Sequence, residues 1–100
     1  MNNISEGIQW FKLKIESSLG VDFEFKYINE KNGDFGDLSG VQFDSEKMGG
    51  YIYFWSSGVV GYQLYDYFKD EEIVKDSTED VRGRAYDDIF SVLINELGIK

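Results

Sequence analysis

The sequence predicts an α+β domain: a four-stranded antiparallel sheet, wound as a meander, flanked by an N-terminal and a C-terminal helix in the order α-β-β-β-β-α. Three observations predict it. Apolar residues recur at helical spacing at both ends of the chain. Between the ends lie alternating and aromatic runs, rich in β-branched side chains, separated by short turn signals. With short connections and no helix between them, neighbouring strands pair antiparallel. The 100 residues carry no proline, repeat or low-complexity linker and form one domain over residues 1–100.

The elements follow in order. Ile4, Ile8, Phe11, Ile15 and Leu19 make an apolar helical stripe with Trp10 beside it. Asn3 or Ser5 can cap its start, and Gly20 ends it. From Val21 to Ile28, apolar Val21, Phe23, Phe25 and Tyr27 alternate with Asp22, Glu24 and Lys26, the mark of a half-buried strand. Lys31-Asn32-Gly33-Asp34 is a strong turn signal, and the loop continues through Phe35, Gly36 and Asp37. Leu38 to Asp44 forms the second strand, with Gly40 a candidate bulge. Ser45 to Gly50 turns into a central hairpin, whose arms Tyr51–Trp55 and Val59–Phe68 are reversed at Ser57-Gly58. The last strand can extend past a bulge through Val74. Ser77-Thr78-Glu79-Asp80 then matches a capping box. Val81, Ala85, Ile89, Val92, Leu93, Glu96 and Leu97 follow at helical spacing, with Tyr86 and Phe90 widening the stripe, and Gly98 stops the run.

Alternation sorts the strand side chains. Phe23, Phe25, Val41, Phe43, Ile52, Phe54, Val60 and Leu64 need cover, and the simplest cover is both helices on one face. Tyr51, Tyr53, Trp55, Tyr65 and Tyr67 then stand on the open face beside Glu24, Lys26, Gln42 and Asp44. In the alternative, each helix covers one face and the tyrosines belong to the core. Tyr and Trp keep a wet tip more readily than Phe and Ile, which favours the open face.

Composition narrows the function. There is no Cys, so disulfides and thiolate metal sites are excluded. There is no His, which removes the commonest general base and zinc ligand. A net charge of −9 repels phosphate backbones and anionic membranes and favours a basic protein partner. The same acids also serve solubility alone. The N-terminus has neither a basic n-region nor an apolar h-region, and no apolar run approaches a membrane span, so a cytoplasmic protein is expected.

Catalytic and cofactor motifs fail on inspection. Ser56-Ser57-Gly58 lacks a base and the flanking nucleophile-elbow pattern, and turn chemistry accounts for it. The carboxylate pairs Asp34 with Asp37, Glu71 with Glu72, and Asp87 with Asp88 suit a solvated face better than a glycosidase cleft. Asn32-Gly33-Asp34 and Asp37 lack the calcium-loop ligand spacing. Gly58-Val59-Val60-Gly61 lacks the lysine and strand-to-helix context of a phosphate loop. Arg82-Gly83-Arg84 is flanked by acids and is no basic patch. No enzyme activity, cofactor or metal is expected.

What remains is a binding surface. Tyr51, Tyr53, Trp55, Tyr65 and Tyr67 supply rigid aromatic anchors, and Asp44, Glu46, Asp66, Asp70, Glu71 and Glu72 a charged rim. The segment Val41-Gln42-Phe43-Asp44-Ser45-Glu46-Lys47, then Gly50, then Trp55-Ser56-Ser57-Gly58 with an acidic strand end beyond it, resembles the TriTu-type immunity proteins. These are small acidic cytoplasmic proteins encoded beside bacterial polymorphic toxins, including contact-dependent growth inhibition systems. The resemblance implies a protein that binds and neutralises the C-terminal domain of a cognate toxin, a basic nuclease in the simplest case. It carries no residue-level binding motif. Two other readings stay open: an adaptor or homodimerising subunit that uses the open face, and a small acidic hydrolase.

Overall fold

The computed structural model describes residues 3–33, 36–81 and 83–99. It is α+β with an antiparallel meander, but the sheet has five strands where the sequence predicts four, in the order β1-β2-β3-β4-β5. The strands are β1 Glu24–Gly33, β2 Gly36–Asp44, β3 Met48–Trp55, β4 Val59–Asp66 and β5 Glu71–Asp80. The expected Asn3 or Ser5 cap, the Ile4 start of the stripe, Arg82 and the Asn32-Gly33-Asp34-Phe35 turn tip lie outside the described side chains.

Helix α1, Asn3–Phe11, continues through a π-helical turn at Lys12–Glu16, a last α turn at Ser17–Leu19 and a 3-10 turn at Gly20–Asp22. The irregularity has a local cause. Ser17 and Ser18 donate their hydroxyls back to the carbonyls of Leu13 and Lys14, at 2.6 and 2.8 Å, a pattern that bends helices. Phe11 and Ile15 remain fully buried, and Ile8, Trp10 and Leu19 pack at the margin of the core. Val21, expected to open the first strand, is instead fully exposed in the 3-10 turn.

The fifth strand replaces the expected capping box. Asp66 accepts from the backbone N–H groups of Phe68 and Lys69, and Asp70 adopts a positive φ of 55°. This tight turn sends the chain back antiparallel to β4, where Val60 pairs with Glu79 and Leu64 with Val74. An unpaired β4 would leave a row of backbone donors and acceptors beside the core. Pairing satisfies them, and it outweighs the local capping preference of Ser77. The register shifts twice along this ladder, which places the expected bulge here.

The C-terminal helix is also corrected. Gly83 takes a φ of 71°, and helix formation begins only at α2, Tyr86–Ile89. Phe90 leaves helical geometry before α3, Ser91–Glu96. Helices at both ends pack on the same sheet face: Phe11, Ile15, Ile89, Phe90, Leu93 and Ile94 share one cluster with Val41, Phe43, Ile52, Phe54, Val60, Tyr62, Leu64 and Val74. At Gly7 an added Cβ would collide with the Phe54 ring, so glycine there lets α1 lie close to β3. Trp10 stacks on Phe90 at 5.1 Å and donates its Nε1–H to Asp87 at 2.6 Å, and Lys14 pairs with the same carboxylate at 3.3 Å. Among the described residues no helix is long and apolar enough to cross a membrane.

Candidate protein-binding face

The sheet face turned away from the helices carries the candidate site. Ile52 and Phe54 point into the core, so alternation sends Tyr51, Tyr53 and Trp55 of β3 outward. Register adds Gln42 and Asp44 of β2, paired with Tyr51 and Gly49. It also adds Gln63 and Tyr65 of β4, paired with the same two positions, and Glu72 of β5, paired with Tyr65. These aromatic residues lie outside the core cluster, as expected for an open face.

They are nonetheless half-buried, because they lie down on the sheet. Tyr53 covers Gly40, where a Cβ would collide with its ring, and a Cβ on Gly61 would come within 3.2 Å of the Trp55 ring. The pairing runs unbroken through Gly40 on both sides, so it is not the expected bulge; it is the place where a ring needs a bare backbone. Tyr51 and Tyr53 stack with centroids 4.5 Å apart, and Trp55 meets Tyr53 edge-on at 5.9 Å.

The ring tips are already engaged. Tyr51 donates to Asp76, Tyr65 to Asp70 and Tyr67 to Asp44. Gln42 donates to the Tyr53 hydroxyl at 3.1 Å. Gln63 donates to Glu72, which also accepts from the backbone N–H of Asp76 at 3.3 Å. Each tyrosine–carboxylate pairing fixes a carboxylate beside a ring. It also discourages loss of the phenolic proton. Burial first, and then the hydrogen bond to Asp76, push Tyr51 up from its ordinary value of 10.0. The hydrogen bonds to Asp70 and Asp44 are the leading causes that raise Tyr65 and Tyr67.

At one end of the face, Gln42, Asp44, Gly49, Gly50, Tyr51, Gln63, Tyr65 and Tyr67 border a shallow recess of about 330 Å³. Gly49 lies buried beneath one side of it, covered by Tyr67 and Asp44. The Tyr67–Asp44 hydrogen bond crosses the space that a Cβ there would take.

The predicted rim divides. Asp44, Asp70 and Glu72 join the aromatic face through the contacts above. Asp66 is engaged in the β4–β5 turn, and Glu71 is exposed opposite it in the ladder. Glu46 does not join the tyrosines: it lines a separate recess with Phe23, Met48 and Leu97, on the helix side. Two contributors escape a reading of the sequence. Asp76 directly precedes the predicted capping box, and only the bulged β5 brings it to Tyr51. Phe68, read as a strand end, stands 76% exposed at the turn tip beside Tyr67, which is 46% exposed.

Ser56 accepts from the Asp37 backbone N–H at 2.9 Å and ties the β3–β4 turn to β2, a structural task. Among the described residues no three carboxylates converge into a metal site. The face offers donors already committed, acceptors with lone pairs left, and flat rings.

The family model described as immunity protein TriTu matches residues 6–96 of this chain. No curated protein and no solved structure matches it.

Proposed function

The chain belongs to the TriTu immunity protein family, and from that premise we propose that it neutralises a cognate toxin by stoichiometric binding through its open sheet face. One observation carries the choice of face: the outward rings of β3 and β4 lie outside the core, and Tyr51, Tyr65 and the following Tyr67 are held by hydrogen bonds to carboxylates. Pre-ordered aromatics lose little freedom on binding, and they are the residues on which interface energy concentrates.

The partner is a basic effector domain. A net charge of −9 attracts one, and a nuclease site built to hold phosphate carries the complementary charge. Binding replaces turnover, and it takes place in the cytoplasm, where such a toxin would act. Size is consistent with this. At about 4.8 Å between strands and about 3.3 Å per residue, five strands make a face on the order of 700 Å², near the roughly 800 Å² per partner of a standard interface. The exposed Phe68 turn extends it.

The test uses the C-terminal domain of the toxin that the neighbouring reading frame is expected to encode. Calorimetry should give one-to-one binding, with Tyr51→Ala and Phe68→Ala each costing at least about 2 kcal/mol. Leu13→Ala, on the 80% exposed outer side of the N-terminal helical segment, is the control and should leave binding unchanged. If Leu13→Ala weakens the complex and the two face variants do not, the toxin docks on the helices instead.

A further inference from the structure

We propose that the recess bordered by Tyr51, Tyr65 and Tyr67 receives one arginine side chain of the basic protein partner, a placement that rests on the neutralisation reading above. Its walls are the rings of Tyr51, Tyr65 and Tyr67, and Asp44 lies at its edge. Tyr65 and Tyr67 approach with centroids 6.1 Å apart at 46°, so the recess offers ring faces as well as edges. A guanidinium is flat, stacks on tyrosine and spreads its donors in a fork. An ammonium has no plane to stack and is more strongly hydrated.

The polar groups point to the same occupant. One Asp44 oxygen accepts from Tyr67, while an ionised carboxylate has about four acceptor sites in all. The remaining sites suit the forked donors of arginine. Gln63 and Glu72 lie next along the sheet, with Asp76 beyond them on Tyr51, so further acceptors follow in the same direction. An apolar side chain in the recess would strip water from Asp44 without replacing it. An anion would meet like charge, and so would a second copy of this face. The same groups that favour a cation therefore disfavour phosphate and self-association in this recess.

The pocket can be tested without the toxin. The probe is N-acetylarginine amide, titrated into the isotopically labelled protein while the ring signals of Tyr51, Tyr65 and Tyr67 are followed by NMR. The expected result is a saturable shift confined to these rings, with a dissociation constant on the order of millimolar. The neutral isostere N-acetylcitrulline amide should give no saturable shift, and the lysine analogue should bind more weakly. Asp44→Asn keeps the shape and should weaken arginine binding about tenfold, the size expected for a lost charge-assisted hydrogen bond. Gly49→Ala should abolish it, since the new methyl group displaces the tips of Tyr67 and Asp44.

Equal shifts with citrulline, or wild-type arginine binding by Asp44→Asn, would overturn the proposal. The two readings separate cleanly in a parallel arm with the toxin domain. Tight toxin binding with no response to the arginine probe removes the pocket and leaves neutralisation standing. An arginine-specific response with no toxin binding removes neutralisation by this face.

Discussion

A tyrosine is an apolar ring with a donor at its tip, and this chain uses the two ends separately. The rings of Tyr51 and Tyr53 stack on each other, that of Tyr53 covering the bare backbone at Gly40, while the Tyr51 hydroxyl holds Asp76 and Tyr53 accepts from Gln42. Which rings face outward was legible from alternation about Ile52 and Phe54. Which acids they hold was not, because Tyr51 and Asp76 are 25 positions apart and meet only across β4. Three of the pairings recur off the open face. Tyr27 donates to Glu16; Tyr62 donates to Glu79, which is also held by Arg84 at 2.7 Å; and Trp10 donates to Asp87. Burial first, and then Glu79, push Tyr62 up to about 12. A group raised in the folded state stabilises fully below its unfolded value and loses that contribution as pH rises through its folded value. Phenolate absorbance of the native protein should therefore lag behind that of the denatured protein above pH 10, and stability in a denaturant titration should fall over the same range. The hydrogen bond from Tyr62 lowers Glu79, and that from Trp10 lowers Asp87, so these pairs stabilise at neutral pH and are lost in strong acid. A native titration that overlays the denatured one would mean the hydroxyls are free.

At the scale of elements, the predicted strands failed where two local signals competed. Ser77-Thr78-Glu79-Asp80 fits a helix start and Val81 to Leu97 fits a stripe, yet the chain spends residues 71–80 as β5 and delays its helix to Tyr86. Local capping contributes roughly 1 kcal/mol, whereas a strand that closes the sheet edge satisfies a whole row of backbone groups. No spacing rule reports that need, because it arises only once β4 is in place. The helical pattern holds at Ile89, Leu93 and Phe90, all buried, but Ala85 and Val92, also placed in it, are exposed, and Ile94 is buried instead. Phe90 shows what the short helices are for. It sits between α2 and α3, fully buried, and its ring meets Trp10, Phe54, Tyr62 and Tyr86. One side chain thus joins both ends of the chain to the sheet. Phe90→Ala should cost about 3–5 kcal/mol in denaturant unfolding. Val92→Ala, exposed two residues on, should cost little. Similar losses at the two positions would mean that the C-terminal helices are not docked through Phe90.

For the whole molecule, the division of labour between faces governs how association should respond to salt. All the helical cover lies on one side, so the other face keeps its rings and its carboxylates together. Rings and charge act at different stages of binding. A chain of net charge −9 draws a basic partner from a distance, and that attraction is screened within about 10 Å at 0.1 M salt. Rings act only on contact, once water has left. Association rates with the toxin domain should therefore fall by about tenfold or more between low and high ionic strength, as steered encounters do. Dissociation rates should change far less with salt. Phe68→Ala should do the reverse, speeding dissociation while leaving the salt slope of association intact, because it removes a ring and no charge. Neutralising the exposed Glu24 and Glu71 as Gln together should flatten that slope without touching the anchors. Stopped-flow measurements across a salt series distinguish these cases. An association rate indifferent to salt would mean that the acids serve solubility and that the partner is not basic, whatever the rings then bind.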